Sequence, residues 1–419
     1  MSSPAGRSTE AWPVPPTPPA GLVALRDPLA APDTVGFVHV ASDEPDRRYL
    51  TRTADPPHAA AIVCVPTAAG GLEAIYCVPA SERAAAVADF VAAADDAQHA
   101  EIDRTVATRD PDTPPGTHAV SALADRLGAD AGSGTLRVPS HLPHDTAVRL
   151  EKAGYDLSST TALTEARASK TPAERDCLRA VQQAAAHAMR RASDRLAAST
   201  TDGGVVRVDG DPLSAQRLER EIAADLAAVG VAPETVRVRA GDTGATEPLP
   251  AGEGIVVHIR PRGPHGYYGS LTRTIVVASD GGWDRRAFIA AKAGQTAARR
   301  HCQPDGNVRT VAAEATAELT AYGFPPMGQS DDDDAAAAEA TDDAGAQATV
   351  HGVGLVPYEA PSPADDGALR SGSTLAVETR VVDPEHGRIR LGSLIEVTSD
   401  GGERLVEYPF SVTPTAGDA

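Results

Sequence analysis

Residues His351–Pro361 read HGVGLVPYEAP. A lone histidine in an apolar strand-like run such as Ala348–Val353 is ordinarily a core residue satisfied by the backbone. Here Gly-x-Gly-Leu follows His351 directly and Glu359-Ala360-Pro361 closes the stretch, which marks a site. Two other segments carry polar groups in equally apolar settings. Ile255–Val277 reads IVVHIRPRGPHGYYGSLTRTIVV, and Leu375–Glu396 runs from LAVETRVV to GRIRLGSLIE. Glu378 within LAVET and Glu396 within GSLIEV are odd places for solvated charges. His258 within VVHIR reads equally as a buried histidine bonded to backbone. Ser270 precedes TRT on a strand with no GxSxG elbow, which argues against a serine nucleophile.

Working outward, the chain from residue 171 follows one plan twice. Thr171, Pro172 and Glu174 predict a capping box that opens a helix to about residue 198. Leu178, Val181, Ala185, Met189, Ala192 and Leu196 form its apolar stripe. A second helix is expected over Pro212–Val229, capped by Asp211 and ended by Gly230. Strand-like Thr235–Arg239 comes next, and then the paired runs Gly254–Arg260 and Tyr267–Val277. The second pass has a helix over Asp284–Cys302 and another from Asn307 to Gly323. The runs Ala348–Val353, Thr374–Val382 and Ile389–Thr398 complete it. Two helices, a strand and a hairpin, repeated, predict a pseudo-twofold α+β domain over residues 167–419. An acidic, alanine-rich insertion at 330–347, containing Asp331–Asp334, reads as solvated surface.

Residues 27–166 alternate strands and helices as a smaller α/β domain. Thr34–Val40, Ala59–Val65 and Leu72–Val78 read as strands, and Ser81–Ala97 and Asp145–Ala153 as helices. No cluster of catalytic groups stands out there. Residues 1–26 read as a Pro-rich flexible arm with no apolar core of a secretory signal.

The 419 residues carry 38 Lys+Arg against 58 Asp+Glu, a net charge of -20, which disfavours a nucleic-acid partner. Lysine occurs only at 152, 170 and 292. An Asp-rich, Lys-poor surface fits adaptation to high salt, where counterions screen the repulsion. Four scattered cysteines form no disulfide framework, and no apolar run suits a membrane span. A soluble, cytoplasmic, thiol-reduced protein is the expectation.

Together the three segments resemble the pita-bread metallopeptidase family of Xaa-Pro aminopeptidases, prolidases and methionine aminopeptidases, in a divergent, haloarchaeal-like version. HGVGLVPYEAP is similar to the family's HGxGL stretch, YYGSLTRT resembles YxxDxTRT, and VVHIRPR resembles VVDIxPR. The resemblance covers about residues 167–419. The upstream residues are compatible with a creatinase-N-like domain. It implies a pita-bread fold, peptide or small-molecule ligands, a homodimer, and neither nucleic acid nor membrane as partner. It also implies two divalent ions held by Asp, Asp, His, Glu and Glu. Carried over, the metal ligands are His351, Glu378 and Glu396, while Glu359 matches a glutamate of the family's active site.

The departures weaken that site. His258 and Ser270 stand where the family has its two aspartates, Tyr358 replaces a histidine, and Thr379-Arg380 replaces Pro-Gly. A dinuclear centre needs about four carboxylates to balance and bridge two dications. Two outcomes stay open. In one, His351, Glu378 and Glu396 hold a single Mn, Co or Zn ion, with His258 as fourth ligand or proton shuttle. In the other, the site is degenerate, binds no metal and has weak or no peptidase activity. Buried carboxylates would then need a cationic partner, for which Arg380, Arg273 and His258 are available.

Overall fold

The computed structural model of the chain describes residues 12–13, 19–53, 57–92, 101–327, 344–364 and 367–415. The first sheet contains β1 (Thr34–Ala41), β2 (Ala60–Pro66), β3 (Leu72–Pro79), β4 (Ile102–Arg109), β5 (Thr135–Val138) and β6 (Asp156–Ser159), in the order β4-β3-β2-β1-β5-β6. β1 runs antiparallel to β2 and parallel to β5. Both faces are covered. Ile62, Cys64 and Tyr76 enter one apolar cluster, and Ala61, Val63, Ile75 and Cys77 enter another. That is why these strands are continuous apolar runs without alternation. The longer helices of this half are α1 (Pro45–Thr51), α2 (Pro115–Leu127) and α3 (His144–Lys152). All four cysteines are free and buried.

The second half opens with α4 (Pro172–Ala197). The Thr171 hydroxyl accepts from the Glu174 amide while the Glu174 carboxylate accepts from the Thr171 amide, the capping box expected from sequence. A small ribbon follows, β7 (Thr200–Asp202), β8 (Val205–Val208) and β9 (Asp211–Pro212), and then α5 (Ala215–Ala228). The main sheet comprises β10 (Ala232–Ala240), β11 (Gly254–Arg262), β12 (Leu271–Val276), β13 (Gly345–Gly352), β14 (Thr374–Asp383), β15 (Gly387–Thr398) and β16 (Gly401–Arg404). Helices α6 (Trp283–His301) and α7 (Val308–Ala321) lie between β12 and β13 in sequence.

The order β10-β11-β12-β15-β14-β13, with β16 on β15, is symmetric about the β12–β15 junction, where Thr272 faces Gly392. The repeated plan thus becomes two mirrored triplets of strands. Each triplet receives a buried glutamine from its first helix. Gln182 of α4 exchanges hydrogen bonds with the Ser270 amide and carbonyl at 2.9 and 2.8 Å. Gln295 of α6 donates to the Val377 and Leu391 carbonyls, each at 2.9 Å. Both side-chain amides satisfy buried backbone groups of the sheet.

Alternation then sorts the two faces of this sheet. Val257, Ile259, Leu271 and Ile275 pack with Met189 and Leu218 of α4 and α5. Leu375, Val377 and Ile395 pack with Ala298 and Val311 of α6 and α7. The opposite, inner face carries the polar members of the same strands.

Several boundaries differ from the sequence reading. The expected helix 81–97 is a single α turn, Arg83–Ala86, continued by a wider π turn, Val87–Ala92. Residues 93–97 lie outside the described residues. The helix expected from residue 212 starts at Ala215 with Ser214 as its cap, because Asp211–Pro212 pairs with β8. The run from Tyr267 is a strand only from Leu271. The insertion 330–347 falls outside the described residues up to position 343, whereas Gly345–Gln347 already belong to β13. Much of the arm 1–26 is also outside them. Its described parts are anchored: Leu22 and Leu25 are fully buried, Trp12 packs on the second half, and the His265 imidazole donates to the Pro13 carbonyl at 3.0 Å. Among the described residues no helix is long and apolar enough to cross a membrane.

Candidate active site on the inner sheet face

Register aligns one row of residues across the sheet: Arg237, His258, Thr272, Gly392, Glu378 and Thr349. Directly paired residues share a face, so His258 and Glu378 both point to the inner side. His351 pairs with Ala376 and Glu396 with Thr374, which are two and four residues from Glu378 on the same face. The three sequence-predicted metal ligands are therefore on one face. They do not converge. At a rise of about 3.3 Å per residue, Glu396 lies roughly 13 Å from Glu378 along the strands.

Glu378 is the centre of the row. Its Oε1 accepts from the Thr272 hydroxyl at 2.6 Å. Its Oε2 accepts from Arg390 Nε at 2.7 Å and also from Arg390 Nη2. Because the Thr272 hydroxyl donates to Glu378, it accepts from His258 Nδ1–H, 2.7 Å away. His258 Nδ1 is itself 3.5 Å from Glu378 Oε1. Burial works against ionisation of Glu378, but Arg390, His258 and Thr272 outweigh it and hold the carboxyl well below its usual range. His258 is buried, and its Nε2 has no hydrogen-bond partner among the described residues.

The guanidinium that meets Glu378 is Arg390, not the Arg380 or Arg273 expected from sequence. Arg380 faces Gln347 directly across the ladder and donates to its side-chain oxygen. Arg390 is the cross-strand partner of Arg380 on the other side and reaches diagonally to Glu378. Arg273 neighbours Thr272 in sequence and so points to the opposite face. There it donates to the Thr272 and Gly392 carbonyls and stacks on Phe410, its centre 4.4 Å from the ring. Burial lowers its pKa to about 9.

Glu396 has its own cations. Arg175 Nη1 lies 2.8 Å from Oε1 and Arg179 Nη2 lies 3.2 Å from Oε2, both from the first turns of α4. Glu359, expected in the active site, is held by two cations. Lys170 Nζ sits 2.7 Å from Oε1 and Arg167 Nε 3.5 Å from Oε2, with the Glu359 and Lys170 side chains almost fully buried. The glycines of HGVGL serve this arrangement. A Cβ at Gly354 would lie 2.0 Å from Glu359 Oε1, and one at Gly352 would lie 2.4 Å from the Ala360 carbonyl. Tyr358 stays on the inner side, its ring 4.4 Å from that of His351, and Arg260 Nη2 donates to its hydroxyl at 2.9 Å.

These residues do not fit a dinuclear metal centre. The position that faces Glu378 across the ladder could carry a second carboxylate, and Gly392 stands there. A Cβ at Gly392 would already lie 2.8 Å from both Glu378 Oε1 and Thr272 Oγ1. The one carboxylate in the row has its oxygens occupied, and Ser270 supplies no charge. Among the described residues, His351, Glu378 and Glu396 do not bring donor atoms within common reach of an ion. Arg390, Thr272, Arg175, Arg179 and Gly392 were missed by sequence reasoning. The available signal was the RIR pattern at 388–390, which puts two guanidinium groups on the face that Glu378 shares.

A model of metallopeptidase family M24 matches residues 176–399. Among solved structures, the prolidase from Pyrococcus horikoshii aligns with a TM-score of 0.68 and 16% identity, covering 94% of this chain and 99% of that one. An Xaa-Pro dipeptidase from Bacillus anthracis aligns with a TM-score of 0.70 and 16% identity, covering 95% and 99%. A dipeptidase from Mycobacterium ulcerans gives 0.66 and 20%, covering 94% and 96%. No curated protein matches the chain.

Proposed function

This chain belongs to metallopeptidase family M24, and from that membership we propose a member that keeps the Xaa-Pro peptidase fold without its dinuclear metal chemistry. Its inner face then acts as a binding surface for a peptide or small molecule. The observation that carries this reading is the Glu378–Arg390 pair: a guanidinium occupies the carboxylate that an ion would need. The rewired single-ion alternative, with His351, Glu378, Glu396 and His258, lacks support from Glu396, which is engaged by Arg175 and Arg179. A homodimer, which the family resemblance implies, belongs to this reading. The Lys-poor acidic surface supports a cytoplasmic, salt-adapted protein, and the linker Arg167–Thr171 is the proposed division between its two domains.

The test is hydrolysis of a series of Xaa-Pro dipeptides with Mn²⁺, Co²⁺ or Zn²⁺ added, in low and molar KCl. No turnover above the protein-free blank is expected. Metal-dependent cleavage that disappears in Glu378→Gln would sink the proposal.

A further inference from the structure

The first half, where the sequence showed no cluster of active groups, contains one. His39 is on β1, Glu44 caps the N-terminus of α1, and His141 lies in the loop between β5 and α3. His39 Nε2 is 2.7 Å from Glu44 Oε2. His141 Nε2 is 3.1 Å from Glu44 Oε1. One donor atom from each residue lies within 4.8 Å of the other two. In a tetrahedral zinc site with bonds of about 2.0–2.1 Å, ligand atoms stand roughly 3.3 Å apart. Small rotations of the two imidazoles therefore open room for an ion. Among the described residues this is the only such group of three.

We propose that His39, Glu44 and His141 form a site for one divalent cation of the zinc class, in the N-terminal half and apart from the inner face of the main sheet.

Four features support it. Two imidazoles and a carboxylate are a donor set that suits zinc and leaves a position for water. The ligands are held by separate elements. Glu44 is further fixed because its Oε2 accepts from the Asp46 and Arg47 amides at 3.1 and 3.2 Å. The site also lies at the carboxyl ends of β1 and β5, which are neighbouring parallel strands, the usual place for a ligand crevice in α/β sheets. His39 is fully buried and His141 half exposed, which gives an ion an entry path.

Nearby charges set the limits. Asp46 Oδ2 is 3.7 Å from His141 Nε2, but Arg167 Nη1 pairs with Asp46 Oδ1. Asp46 therefore steadies the site without being a ligand. The second ring nitrogen of His39 is buried with no partner among the described residues. Loss of such an outer partner weakens metal sites by about 10–100-fold, so moderate affinity is expected.

The experiment titrates Co²⁺ or Zn²⁺ alone into the EDTA-dialysed full chain. One ion per chain is expected, with visible Co²⁺ absorption and a raised thermal midpoint. His141→Ala, at a half-exposed position and with its fold checked by circular dichroism, should weaken binding at least ~10-fold. His39→Gln should do the same. Glu378→Gln, in the other half, should leave it unchanged, which separates this site from the inner face. No binding at about 1 mM ion, or equal affinity in His141→Ala, would mean that the cluster is only an ion pair.

Discussion

Arg390→Met is expected to destabilise the protein by about 3–5 kcal/mol, because it leaves Glu378 buried and ionised without its main partner. Thr272 and His258 still contact the carboxylate, but neither carries a permanent charge. The pH dependence follows from the direction of the Glu378 shift. A carboxyl held below its usual range contributes stability that is present above the ordinary carboxylate pKa and lost as pH falls through the depressed one. Removing Arg390 raises that pKa, so the deficit should be largest near neutral pH and shrink at about pH 4, where protonation neutralises the orphan. Adding Glu378→Gln should recover most of the loss, since removing both charges costs far less than removing one. Urea unfolding of wild type, single and double variants measures all three. An Arg390→Met protein as stable as wild type at neutral pH would show that the pair is not what holds Glu378.

Lys170→Met is expected to cost about 3 kcal/mol, the lower end of the range for breaking a buried ion pair. Glu359 would keep Arg167, at 3.5 Å, which is why the loss should fall short of that at Arg390. Lys170 also anchors the start of the second half, since its amide donates to the Gly372 carbonyl at 3.0 Å. Glu359→Gln in the Lys170→Met background should restore stability, with a coupling that a double-mutant cycle reads directly. Additive single effects would mean that Glu359 and Lys170 do not share one interaction.

The architecture was legible because local signals agree with it. The capping box at Thr171 and Glu174, the apolar stripe of α4 and the alternation of β11, β12, β14 and β15 each fix an element from neighbouring residues alone. HGVGLVPYEAP identified the family, although its glycines serve the packing of Glu359 and Ala360. The site was legible only in part. Sequence shows that His258 and Ser270 replace acids, but not which residue faces Glu378, because that depends on register between strands distant in sequence. Glu396 looked like a ligand because it lies in an apolar run, and the residue facing Glu378 proved to be Gly392, four positions away. Arg175 and Arg179 lie off the apolar stripe of α4, and nothing local says that the turn carrying them abuts β15. His39, Glu44 and His141 come from three separate elements, and only the parallel pairing of β1 with β5 brings them together.

On the proposed reading, guanidinium groups have taken the place of metal on the inner face. Calorimetric titration of Mn²⁺ or Co²⁺ into EDTA-dialysed His141→Ala protein tests it most directly, because the cluster in the first half is then removed. No binding that depends on Glu378 is expected, only the weakened remainder of the His39–Glu44 pair. One or two ions bound per chain, and lost in Glu378→Gln, would contradict it.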